Sequence, residues 1–180
     1  MKVPAFIENR PIVVTASLTT VVAAWRILAW RKVLPSPLEY LLSHTDLSVT
    51  VAIALGLASV AAVAAGFAGF IIIFGISSDS SIMRAFRAKT ELYLRPNWKS
   101  IISNAFLAAV LGLACAVFLA AHWIWVAAVS LALGALLLVH SMVRMVWLFG
   151  ILLALVSTQD QKDSKKANRR STADVFKGAA

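Results

Sequence analysis

The chain reads as an all-α, polytopic transmembrane bundle of four helices, and three observations lead there. The segment from Leu47 to Ile76 carries no charged residue, and about 20 apolar residues suffice to cross a hydrocarbon core of about 30 Å. Two further apolar runs follow: Ile101 to Ala121 is uncharged, and Ile124 to Ser157 is broken only by His140 and Arg144. Composition agrees, with 61% hydrophobic residues and a mean hydropathy of +0.85 over 180 residues. A domain this small has too little interior to hide so much apolar surface from water, so lipid has to cover the rest.

Taken in order, Lys2 and Arg10 ahead of Pro11 to Ala24 have the outline of a secretory signal peptide. Thr15, Ser17, Thr19 and Thr20 dilute the apolar stretch, and Trp25-Arg26 makes a poor mature start. The segment is therefore expected to be retained as a first membrane helix over about 11–30, with Arg26 snorkelling its charge toward headgroups. The rival is an amphipathic helix lying in the interface, with Trp25, Arg26, Trp30, Arg31 and Lys32 at the water boundary. Ser36-Pro37-Leu38-Glu39 then reads as a capping box with proline at the first helical position, opening a short interfacial helix to about His44. Thr45 or Asp46 can cap the second membrane helix, 46–76.

The stretch 77–99 is polar and reads as a loop, with Arg84, Arg87, Lys89, Arg95 and Lys99 against only Asp79 and Glu91. The positive-inside rule makes it cytoplasmic, and Ser81 to Leu94 can form an amphipathic helix on the membrane surface. Helices over 100–121 and 124–157 follow. The turn between them has no Lys or Arg, only His122 and two tryptophans, which suits headgroup level on the outer side. The transmembrane domain thus covers 1–158. The tail 159–180, with Lys162, Lys165, Lys166, Arg169, Arg170 and Lys177 among polar residues, is expected to be disordered and cytoplasmic. Counting crossings back from the tail puts both termini inside a cytoplasmic (inner) membrane; Lys2 and Arg10 agree, and Arg31 and Lys32 oppose.

Net charge is +9, but the basic residues gather at the ends of apolar runs, where they set membrane orientation rather than meet nucleic acid. The single cysteine, Cys115, lies within an apolar run, so neither an intramolecular disulfide nor a cysteine metal cluster is available. No phosphate-binding loop, H-E-x-x-H zinc site or intramembrane carboxylate occurs. The expectation is a non-enzyme without cofactor or metal.

Two features carry the functional reading. Ala54, Ala58, Ala62 and Gly66 recur every four positions, with Ala61, Ala65 and Gly69 beside them and Ala108, Gly112 and Ala116 on the third helix. Small side chains let helix backbones approach where lipid supplies no hydrophobic drive, either within one bundle or between protomers of a homo-oligomer. His140 and Arg144 share one face of the fourth helix, with Ser141 and Trp147 adjoining. A charge inside hydrocarbon marks a functional site by default, and the alternative is an arginine snorkelling at the boundary. Its available partners are Asn104, backbone carbonyls, Asp46 or lipid phosphate. The second and fourth apolar runs also outreach the bilayer, so either they tilt or Met145 to Val156 forms a docking stem outside it.

The order of parts resembles small bacterial four-helix membrane proteins: a weakly apolar first helix, a long small-residue helix ending in Ala68-Gly69-Phe70-Ile71, a short basic loop with Tyr93 and Trp98, and a closing hairpin. Some proteins of this look, the Kiwa membrane subunit among them, are encoded beside a soluble effector in antiphage defence. The basic loop and tail, with the small-residue faces, lead to the expectation of a self-associating anchor or sensor that recruits a cytoplasmic partner or anionic lipid, and the resemblance adds to that expectation. Arg84, Arg87, Lys89, Arg95, Lys165, Lys166, Arg169 and Arg170 are then candidates for contact with that partner or with anionic lipid. The alternative is a pore-forming or holin-like oligomer that permeabilises the membrane, its path lined by His140, Arg144 and Asn104.

Overall fold

The computed structural model describes residues 11–77 and 81–177; Lys2, Arg10 and Asp79 lie outside them. Among the described residues there are five helices and no strand: α1 (Pro11–Trp30), α2 (Pro37–His44), α3 (Leu47–Ser77), α4 (Ser81–Ala120) and α5 (Ile124–Lys177). All but α2 are long and apolar enough to cross a membrane. The chain is a four-span helical bundle with one short helix at its rim.

α4 is the centre of the bundle, packed against α3 on one side and α5 on the other. Three buried layers run along it. At one end Ala54, Cys115, Leu119, Ala127 and Ala128 close around Leu42 of α2. In the middle Ala61 and Ala64 meet Ala108, Leu137 and Leu138, with Leu18 of α1 against them. At the other end Ala68, Ile101 and Leu148 pack with Trp98, Met145 and Trp147. Most bulky apolar side chains instead face outward, as on Val63, Phe67, Val110, Val117 and Val143. That inversion is what a lipid solvent permits, because hydrocarbon is as apolar as the side chains and association rests on close packing.

α1 runs along the bundle from Thr15, at the level of Asn104 on α4, to Arg26, at the level of Trp125 on α5. This is the course of a spanning helix rather than one lying flat in the interface. Its contact is slight: Val22 is buried and most of its other apolar side chains are exposed.

The turns after α1 and α4 are built alike. Val33 donates its N–H to the Leu28 carbonyl and Lys32 to that of Ala29, while Trp123 and His122 do the same to Phe118 and Leu119. The residue at the turn, Lys32 or His122, takes φ of 58° in each case. This is the Schellman arrangement, which satisfies carbonyls the helix leaves open, although glycine is the usual occupant. The apolar contact that accompanies it is a stack of Phe118 on Trp123, with ring centroids 6.0 Å apart.

Three expectations are corrected. Ser36 stands at the α2 N-cap but makes no side-chain cap bond, and Glu39 turns its carboxylate to Arg26 at 2.6 Å, a charged partner that outcompetes a neutral cap N–H. The described part of the segment expected as a loop, 81–99, is helical: α4 is continuous from Ser81 through Pro96 into the span. Met83, Ala85, Ala88, Glu91 and Leu92 favour helix, and one proline inside a packed helix costs a donor without stopping it. Where disorder in isolation is expected of the tail, its described residues 159–177 continue α5 as helix to Lys177, through a stretch free of Gly and Pro after Gly150.

Candidate functional site

Three of the buried polar side chains inside the spans, Asn97, Asn104 and Ser141, gather on one seam where α1, α4 and α5 meet. Asn97 and Asn104 are seven residues apart on α4, two turns along one face, and both are buried. Arg144 on α5 donates from Nη1 to Oδ1 of Asn97 at 2.6 Å. One turn along α5, the Ser141 hydroxyl donates to the Ile101 carbonyl at 2.8 Å, adding a second interhelical tie. Asn104 in turn donates from Nδ2 to the hydroxyls of Thr15 on α1, at 3.1 Å, and of Ser100, at 3.3 Å.

The physical sense of the seam is a latch. In hydrocarbon a polar group without a partner is costly, so each such bond resists separation of the helices that make it. Asn97 lies at the start of the span that runs from Pro96 to Ala120, which puts its bond with Arg144 near the end of the hydrophobic layer. Arg144 can bond to α4 while its stem packs among apolar residues. His140, one turn away, is half-buried, and its Nε2 has no hydrogen-bond partner among the described residues; the same holds for Nε1 of Trp98.

A second polar cluster stands at the opposite end. Arg26 pairs with Glu39 and holds its guanidinium carbon 5.4 Å from the Trp125 ring centroid, within cation–π range. One arginine thus ties α1, α2 and α5 together.

The small-residue face differs from a strict four-residue ladder. Ala54, Ala58, Ala61, Ala64, Ala65 and Ala68 are buried, while Ala62 and Gly66 are exposed. Four residues advance a helix by about 400°, so each step drifts about 40° and the row leaves the contact at its second step. The true face alternates steps of three and four. Nothing lies within 4 Å of a Cβ built on Gly66 or Gly69, whereas one on Gly112 would stand 2.9 Å from the Ala54 carbonyl oxygen and the Ala58 nitrogen. Gly112 thus marks a close approach of α4 to the α3 backbone, and Ala108, one turn away, shares a buried cluster with Ala61 and Ala64.

Of the basic residues singled out, Arg84, Arg87, Lys89 and Arg95 belong to the first turns of α4, and Lys165, Lys166, Arg169 and Arg170 to the last turns of α5. The antiparallel α4–α5 pairing brings both stretches to the end of the bundle where α3 finishes. Among the described residues no three His, Cys, Asp or Glu side chains converge as metal ligands.

Sequence reasoning did not name Asn97, Thr15 or Ile101 as partners in the seam. The heptad spacing of Asn97 and Asn104 was the available signal, but Asn97 was assigned to a loop. No protein-family model matches the chain, and comparison with curated proteins and with solved structures finds no match.

Proposed function

We propose that the protein is a non-enzymatic subunit of a bacterial inner membrane, an anchor or sensor that recruits a soluble cytoplasmic partner. The observation that carries this reading is the projection of α4 and α5 beyond the spans at one end of the bundle. α4 has 40 residues and α5 has 54, about 60 and 81 Å of helix against a hydrocarbon core of about 30 Å. The projecting turns carry most of the basic residues, which the positive-inside rule assigns to the cytoplasm. Self-association is supported by Ala62 and Gly66, small residues left on the outer side of α3. The bond from Arg144 to Asn97 favours a closing role for the seam over a conducting one.

The test is recovery of a soluble protein with the full-length chain from native membranes in mild detergent. Deleting residues 159 to 180 is expected to release it without preventing membrane insertion. The pattern-level resemblance to defence-associated subunits names the first partner to look for, a soluble effector encoded beside this gene. Recovery of no soluble protein, together with dye leakage from liposomes holding the purified oligomer, would overturn the reading in favour of a pore.

A further inference from the structure

Because α5 stays one helix to Lys177, its charged residues have a register, and the register sorts them by sign. At 100° per residue, Lys162, Lys165, Lys166, Arg169, Arg170 and Lys177 fall within an arc of roughly 140°. Asp160, Asp163 and Asp174 fall together in an adjoining arc of about 60°. The remaining third of the surface is uncharged. The side chains from Asp160 to Lys165 are exposed, so the stripe begins on a helix face that the chain itself leaves open.

Reach decides what this face meets. Measured along the helix from Val156, the last apolar residue of the fourth run, Lys165 stands about 13 Å out, Arg170 about 21 Å and Lys177 about 31 Å. A tilt of about 40°, the upper end for membrane helices, shortens these by only about a quarter. The attraction of anionic headgroups falls off within a Debye length, about 8 Å at physiological ionic strength. The distal basic residues are therefore held beyond the reach of the membrane's own lipid.

We propose that the basic stripe of α5 docks an acidic surface on a soluble protein rather than anionic lipid headgroups. This rests on the recruiting role proposed above and gives the partner its chemistry. An acidic protein patch bordered by basic residues satisfies both arcs, the acids on the stripe and the cations on Asp163 and Asp174. A nucleic-acid backbone offers nothing to the aspartates and is repelled by them.

The experiment uses the full-length protein in nanodiscs of phosphatidylcholine, with and without phosphatidylglycerol, and a labelled poly-L-glutamate peptide as probe. One variant combines Asp163→Lys, Lys166→Asp, Arg170→Asp and Asp174→Arg, which keeps the net charge and breaks the stripe. The peptide is expected to bind the native chain in a salt-dependent way, about tenfold more tightly than this variant, and independently of phosphatidylglycerol. Asp160→Asn with Asp174→Asn leaves the stripe whole and is expected to keep or strengthen binding. The inference is overturned by equal affinity of native and rearranged chains at equal helicity. It is also overturned by a spin label at position 170 that moves to the headgroup layer when phosphatidylglycerol is added. Peptide binding without any native partner sinks the recruiting role alone; a native partner retained equally by the rearranged chain sinks the stripe alone.

Discussion

Two glycines show how much a single position depends on its neighbours. A methyl group on Gly112 meets backbone atoms of α3 at 2.9 Å, and backbone cannot swing aside as a side chain does. Gly112→Ala should therefore force α3 and α4 apart and cost about 1–3 kcal/mol, the usual range for overpacking, read as a lower melting temperature in detergent or nanodiscs. Gly66→Leu enters open space and should leave melting within about 0.5 kcal/mol of the native value. On the proposed self-association through this face, it should instead lower the oligomer size seen by cross-linking, because a leucine would space neighbouring α3 helices apart. Thermal stability equal in Gly112→Ala and the native chain would mean that the close approach is not made. Both glycines sit in small-residue rows in the sequence, and only the three-and-four alternation of the buried alanines tells them apart.

At the scale of elements, the tie between α4 and α5 at Arg144 and Asn97 is the one to measure. Each residue has further interactions, so single truncations mix several losses. A double-mutant cycle with Arg144→Ala and Asn97→Ala isolates their pair; a bond to a charged donor in a site of low polarity is expected to give a coupling of about 1.5–3 kcal/mol. Additive losses would remove the latch and leave Arg144 as a boundary anchor. The helices themselves were legible in outline, since uncharged length and a polar break announce a span whatever it packs against. Their ends were not. Whether residues 81–95 continue α4 or lie apart turns on whether Pro96 is tolerated, and local propensity decides that less than packing does.

For the whole molecule, the connectivity makes a testable map. α1 and α4 run one way through the bundle and α3 and α5 the other, so position 89 and the end of α5 share a side opposite His122. Reporter fusions near Lys89 and after Ala180 should read cytoplasm, and an insertion at His122 should read the outside. With α1 spanning, a reporter at the N-terminus should read cytoplasm as well. An N-terminus reading outside while the other three hold would reduce the crossings to three and detach α1 from its place along the bundle.

By itself the sequence determined the solvent, the number of long apolar helices and the gathering of basic residues at their ends. Those follow from hydrophobicity and charge summed over about 20 residues at a time, and no knowledge of partners is needed. The tertiary structure decided which alanines touch, that Glu39 serves Arg26 rather than its own helix cap, that Arg144 reaches Asn97 rather than Asn104, and that the projecting ends of α4 and α5 are helical. The reason is that each of these is a competition between alternatives of similar local cost. A carboxylate can cap or pair, an arginine can choose among amides a few turns apart, and a polar stretch can coil or wind. The outcome is set by which groups the folded bundle brings within hydrogen-bond distance, and spacing along one helix does not contain that information.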